Sequence, residues 1–158
     1  MRKITIKFIL ILLSFLASTT LPSCFSNDLK TVTSKPPDDE LLGLYKPDLN
    51  TQKSYGHYGI QSNSSFQLKE LGLLEYSQIP IRILDFVQDR NDNQTLLTGF
   101  GEWKVNDKGY IDLDLTFKLE ENHTLITSMV LTKKLDKYII YYFMGDPNKD
   151  SVVTFVQQ

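Results

Sequence analysis

Alternation is the dominant pattern along this chain. In "YIDLDLTFKL" (110–119), Ile111, Leu113, Leu115, Phe117 and Leu119 fall on one side and Asp112, Asp114, Thr116 and Lys118 on the other. A period of two predicts an antiparallel strand with one buried and one wet face. "GFGEWKV" (99–105) sets Gly101, Trp103 and Val105 against Glu102 and Lys104. Between these segments, Asn106-Asp107-Lys108-Gly109 predicts a hairpin turn. The rhythm continues through "TLITSMVLTKK" (124–134), "YIIYYFMG" (138–145) and "SVVTFVQ" (151–157), with turn residues at 121–123, 136–137 and 146–150.

Upstream the pattern loosens. Segments 41–47, 65–71 and 73–80 read as strands, with Gly72 as a turn. Segment 81–88 reads as a short helix or another strand, because Pro80 suits a helix start. There is no internal repeat and no long helical period. The expected fold class is all-β, an antiparallel meander of about eight strands closed into a small up-and-down barrel, since closure hides the edges.

One strand breaks the rule. In "YIIYYFM", Tyr138, Ile140, Tyr142 and Met144 make one apolar face and Ile139, Tyr141 and Phe143 another. The second face needs a cover. Segment 81–88 is one candidate, and a partner protein or a ligand is the other. Tyrosine suits recognition, its ring being apolar and its hydroxyl wet. The candidate binding residues are therefore Tyr138, Tyr141, Tyr142 and Phe143, with Trp103.

The first residues change the cellular picture. Arg2, Lys3 and Lys7 precede a nine-residue run, Phe8 to Leu16, broken by Ser14, and the small or polar residues Ala17 to Thr20 follow. These are the parts of a secretory leader, and the run falls short of the roughly 20 apolar residues that span a bilayer. The exit, Leu21-Pro22-Ser23-Cys24, resembles the lipobox of bacterial lipoproteins and holds the chain's single cysteine. That resemblance implies cleavage before Cys24, diacylation of its sulfur and acylation of its new amine. Two or more acyl chains anchor durably, whereas an unpaired thiol in an oxidising compartment is a liability. Phe25 follows, rather than an Asp that signals inner-membrane retention. The expected place is the cell envelope, lipid-anchored, at the periplasmic face of the outer membrane.

Losing the leader (1–23) removes three of the 17 basic residues and none of the 19 acidic ones, leaving 14 against 19, near −5. This disfavours nucleic acid, which clustered Lys and Arg bind, and a polybasic grip on anionic lipid. Residues 24–40 are polar, contain Pro36-Pro37 and show no apolar period. Such a stretch cannot offset its ordering entropy and reads as a flexible tether ahead of a folded domain at 41–158.

Gly43-Leu44-Tyr45 opening the meander, with Gly101-Glu102-Trp103 in its middle, resembles small bacterial lipocalin-like lipoproteins. In that family the first strand carries Gly-x-Trp, the tryptophan plugging one end of the barrel. Here Tyr45 stands at that place, and neither a later Thr-Asp-Tyr motif nor a matching arginine is present. The resemblance implies a barrel whose mouth holds a small apolar ligand. The short domain leaves a second option, an interior filled by its own side chains.

No pattern calls for a metal, a cofactor or a catalyst. His57 and His123 sit in turn-like surroundings without a ligand set at defined spacing. Asp89 and Asp146 each start an Asp-x-Asn-x-Asp/Asn stretch. The calcium-loop positions that need glycine and glutamate hold Gln94 and Phe100, and Ser151 and Gln157. Asp112 and Asp114, about 7 Å apart along a strand, have a spacing open to a glycosidase pair, but they read as the wet face. Serine elbows and glycine-rich phosphate loops are missing, so an enzyme is not expected. Two readings stay open. One is a binding module whose interior, lined by Trp103, Ile111, Leu113, Leu115 and Phe117, takes a small hydrophobic ligand or lipid. The other is an inhibitor, immunity or adaptor protein with a filled barrel, docking a partner through exposed aromatics.

Overall fold

A computed structural model of the protein describes residues 30–84, 95–107, 111–119, 123–143 and 152–158. The leader, Cys24, the second half of 81–88, and the stretches 89–93 and 146–150 lie outside the described residues. The alternating segments form strands β1 (Lys30–Thr31), β2 (Gly43–Pro47), β3 (Ser65–Leu68), β4 (Leu73–Pro80), β5 (Leu96–Asn106), β6 (Asp112–Lys118), β7 (Thr124–Lys134), β8 (Lys137–Phe143) and β9 (Val152–Gln157). Three short helices join them: α1 (Asp38–Leu41), α2 (Leu49–Tyr55) and α3 (Ile81–Leu84).

From β2 onward each strand pairs antiparallel with the next, and β9 returns to β2 through Tyr45↔Gln157 and Pro47↔Phe155. Among the described residues, eight strands thus close into an up-and-down barrel, the architecture that the period-two pattern predicts. Where β5 meets β6, Gly101 allows the two backbones a close approach. A Cβ there would lie 1.9 Å from the Thr116 carbonyl oxygen of β6, a contact only glycine avoids.

The inward positions make one core. Phe66 on β3 lies 4.5 Å, ring to ring, from Phe155 on β9 and 5.9 Å from Phe117 on β6, against which Tyr76 stands edge-on at 4.9 Å. Strands β3 and β6 are separated by β4 and β5, so these rings meet across the barrel. Leu68, Leu74, Leu113, Leu115 and Ile140 complete the filling and are essentially inaccessible. An eight-stranded barrel is just wide enough for side chains to fill it.

The two ends differ. The β3–β4, β5–β6 and β7–β8 turns share one end with α1 and the start of β2; this is the closed end. It is sealed by Leu41, whose carbonyl accepts from the Tyr45 hydroxyl at 2.9 Å. The other end carries α2 and α3. Helix α2 lacks an apolar period and was not legible in the sequence. Its start is capped by Asp48, whose carboxylate accepts from Thr51 N at 2.7 Å. Buried Thr51 then accepts from Thr154 N of β9. Segment 81–84 takes the helical alternative. It turns into the barrel, burying Ile83 and Leu84, and the Leu84 carbonyl accepts from inward-facing Thr127 at 3.1 Å. The described half of the segment, 81–84, therefore does not cover the outer face of β8, and 85–88 lie outside the described residues.

Composition assigns 24–40 to a flexible tether, yet residues 30–40 lie on the barrel. β1 pairs with the end of β7, Lys30 opposite Lys133, beyond the point where β6 leaves that edge at Val130. Pro36 and Leu41 are buried. Thr132 donates to the Lys30 carbonyl at 2.8 Å, and Gln157 Nε2 donates to the carbonyls of Glu40 and Leu42 at 3.0 Å. The barrel satisfies the strap's polar groups, a long-range effect that local composition does not encode.

Candidate functional site

The five aromatic residues singled out from the sequence go to three places. The pleat of β8 divides them, because successive side chains point to opposite faces. Tyr138 and Tyr142 point inward with Ile140, while Tyr141 and Phe143 point outward.

Trp103 and Tyr138 belong to the closed end. Trp103 faces inward on β5, nearly buried, and its indole N–H donates to the Lys69 carbonyl at 2.9 Å, holding the β3–β4 turn. Gly72 of that turn, at φ +71, brings its backbone so close that a Cβ would sit 3.0 Å from the Trp103 carbonyl. Tyr138 donates its hydroxyl to Glu40 Oε2 at 2.7 Å, Lys133 Nζ lies 3.5 Å from the same oxygen, and that ammonium stands 4.6 Å over the Tyr138 ring. The Tyr138 hydrogen bond, against a smaller opposing effect of burial and with help from Lys133, holds the Glu40 carboxyl below the usual carboxylate range. Burial, then the bond to Glu40, pushes the Tyr138 hydroxyl up. Burial, then Tyr138, does the same to Tyr45. Glu40 was invisible as a site residue because it stands in the polar stretch read as tether. Here it is a structural clasp.

Tyr142 packs half-buried at the opposite end. There Tyr55, Tyr58, Leu97, Leu119 and Leu125 are likewise half-buried against the core. Arg82 of α3 lies 4.7 Å over the Tyr58 ring and links the two helical connections.

Tyr141 and Phe143 form the outward pair, edge to face at 5.4 Å and 84°. Phe143 is 39% exposed. The register sets Tyr141 beside Val130, which pairs with Asp112, and beside Thr154 of β9; Phe143 pairs with Val152. Burial, then the Asp112 carboxylate, pushes the Tyr141 hydroxyl up, and burial, then Asp114, raises Asp112. Asp114 is engaged too: Ser128 Oγ donates to it at 2.5 Å and Lys104 Nζ lies at 3.8 Å. The carboxylate pair thus borders the aromatic pair on the outer wall. Ile139, the third outward residue of β8, is nearly buried. It pairs with Thr132, itself buried and the residue that holds the Lys30 carbonyl.

His57 is exposed, its ring 3.9 Å from that of Tyr58, and His123 is exposed. Among the described residues no three His, Cys, Asp or Glu side chains gather as a metal site would require, and no helix is long and apolar enough to cross a membrane. Fold and site together define an eight-stranded up-and-down barrel with a packed middle and an aromatic pair on its outer wall. No family model, no curated protein and no solved structure matches this chain.

Proposed function

We propose that this protein is a lipid-anchored component of the bacterial cell envelope, held through acylated Cys24 at the periplasmic face of the outer membrane, that docks a partner protein through the outer face of β8. The observation that carries this reading is the contact of Phe66 with both Phe155 and Phe117. It fills the space a ligand-carrying barrel keeps open, while the Tyr141–Phe143 pair faces outward. Aromatic anchors beside a hydrogen-bonding rim of Asp112, Asp114 and Ser128 suit a protein interface better than a small-molecule pocket.

The test is site-specific photocrosslinking in the native host, with benzoylphenylalanine placed at Tyr141, at Phe143 and, as a control, at Leu49 on α2. A discrete protein adduct from 141 and 143, absent from 49, is expected. No position-specific adduct would remove the interaction reading. A second reading rests on the half-buried residues around Tyr142 at the end opposite the closed one, where a small apolar molecule would sit at the mouth rather than in the middle. Native mass spectrometry of the full chain distinguishes the two: an apolar molecule at unit stoichiometry, lost on Tyr142→Ser, would favour the mouth.

A further inference from the structure

We propose that the closed end of the barrel rests on the membrane surface, with Leu71 and Leu135 seated in the interfacial layer of the bilayer. The proposal rests on the reading of Cys24 as the lipid anchor. Leu71, in the β3–β4 turn, is 96% exposed, and Leu135, in the β7–β8 turn, is 81% exposed. Both hold left-handed backbone, at φ 59 and 54. Glycine or asparagine adopts that conformation at less cost, so each turn holds a large apolar side chain outward at a backbone penalty. Strain of this kind at an exposed tip points to use rather than to packing. Leu73, next to the first tip, is 52% exposed.

The two turns stand on opposite sides of the ring, since β4 and β8 are four strands apart whichever way the barrel is followed. A flat surface laid across the closed end meets both. The chain also arrives at this end. Lys30 pairs with Lys133, two residues before Leu135. Cys24 lies only six residues upstream, a reach of at most about 20 Å. β8 alone rises by about that length between the ends, so the acyl chains meet the closed end with slack and the other end only on a taut chain. Charge at this end is mixed, Asp38 and Asp39 of α1 with Glu70 and Asp136 of the two turns standing against Lys30, Lys134 and Lys137. The occupant is therefore the apolar interfacial layer itself, in a contact that salt does not disrupt. This orientation points Phe143, at the far end of β8, away from the membrane.

The test uses the full acylated chain in phosphatidylethanolamine–phosphatidylglycerol vesicles, with a nitroxide on Leu71→Cys, Leu135→Cys or Leu49→Cys in turn. Intact-mass measurement reports the state of Cys24 in each sample. At 71 and 135 the ratio of oxygen to nickel-chelate collision should be several-fold higher than at 49, the value at 49 matching free solution. Water-like values at 71 and 135 on an acylated, vesicle-bound protein would overturn the docking and leave the anchor standing. Shielding at 49 as well would overturn the orientation. An unmodified Cys24 on a protein that stays in solution would overturn both.

Discussion

Leu71 and Leu135 keep left-handed backbone without glycine's freedom, at a cost of about 1–2 kcal/mol each. Neither gains burial in return. Asparagine tolerates this conformation and hydrogen-bonds locally. Leu135→Asn is therefore expected to raise stability by about 1 kcal/mol in urea unfolding. A loss of stability instead would show that the leucine contributes packing its exposure does not reveal. If the side chain serves membrane docking, the same substitution weakens that docking, so stability and function move in opposite directions.

At the scale of elements, the strap of residues 30–42 hangs on a few long-range bonds. Glu40 receives the Tyr138 hydroxyl and faces Lys133, and its carboxyl is held below the usual range chiefly by the first of these. A carboxyl with a lowered pKa in the folded state stabilises above its unfolded pKa, and that contribution is lost as pH falls through the folded value. The amides of β1 and α1 are thus expected to lose hydrogen-exchange protection on acidification, after correction for intrinsic rates, before the barrel strands do. Tyr138→Phe should give the same local loss at neutral pH, and Glu40→Gln should abolish the pH dependence. Uniform loss across strap and barrel would mean that the strap is not a separate unit.

At the scale of the whole molecule, the packed interior decides between carrier and docking domain. Phe66 touches two walls at once, so Phe66→Ala is expected to cost about 3–5 kcal/mol. The same change should open a dry cavity that takes a benzene-sized apolar probe, as large-to-small core cavities do. Calorimetry with such a probe should show binding to the variant and none to the native barrel. Stoichiometric binding to the native protein would mean that its middle opens, and the carrier reading would regain its basis.

Local period was enough to set much of this fold. The facing of β5 and β6 and their inward residues, among them Trp103, Leu113, Leu115 and Phe117, follows from alternation, because a strand's two faces are written two residues apart. Strands β7 to β9 were legible from their β-branched and aromatic runs between turn residues. The same alternation separated Tyr138 and Tyr142 from Tyr141 and Phe143. What lies beyond each face was left to the tertiary structure. Tyr138 meets Glu40 across 98 positions of sequence, and Thr132 meets Lys30 across 102. Those partners turn a polar spacer into a strap, and closure splits one aromatic cluster into a clasp, a half-buried residue at the other end and an outer pair. The exposed leucines were equally hidden. "ELGLLEY" and "KKLDKY" read as strand ends and turns, and only the closed barrel sets Leu71 and Leu135 at one end of the molecule. Periodicity is a property of neighbours in the chain, whereas burial and hydrogen-bond partners are properties of closure, and closure determines which side chains remain available to a membrane or a partner.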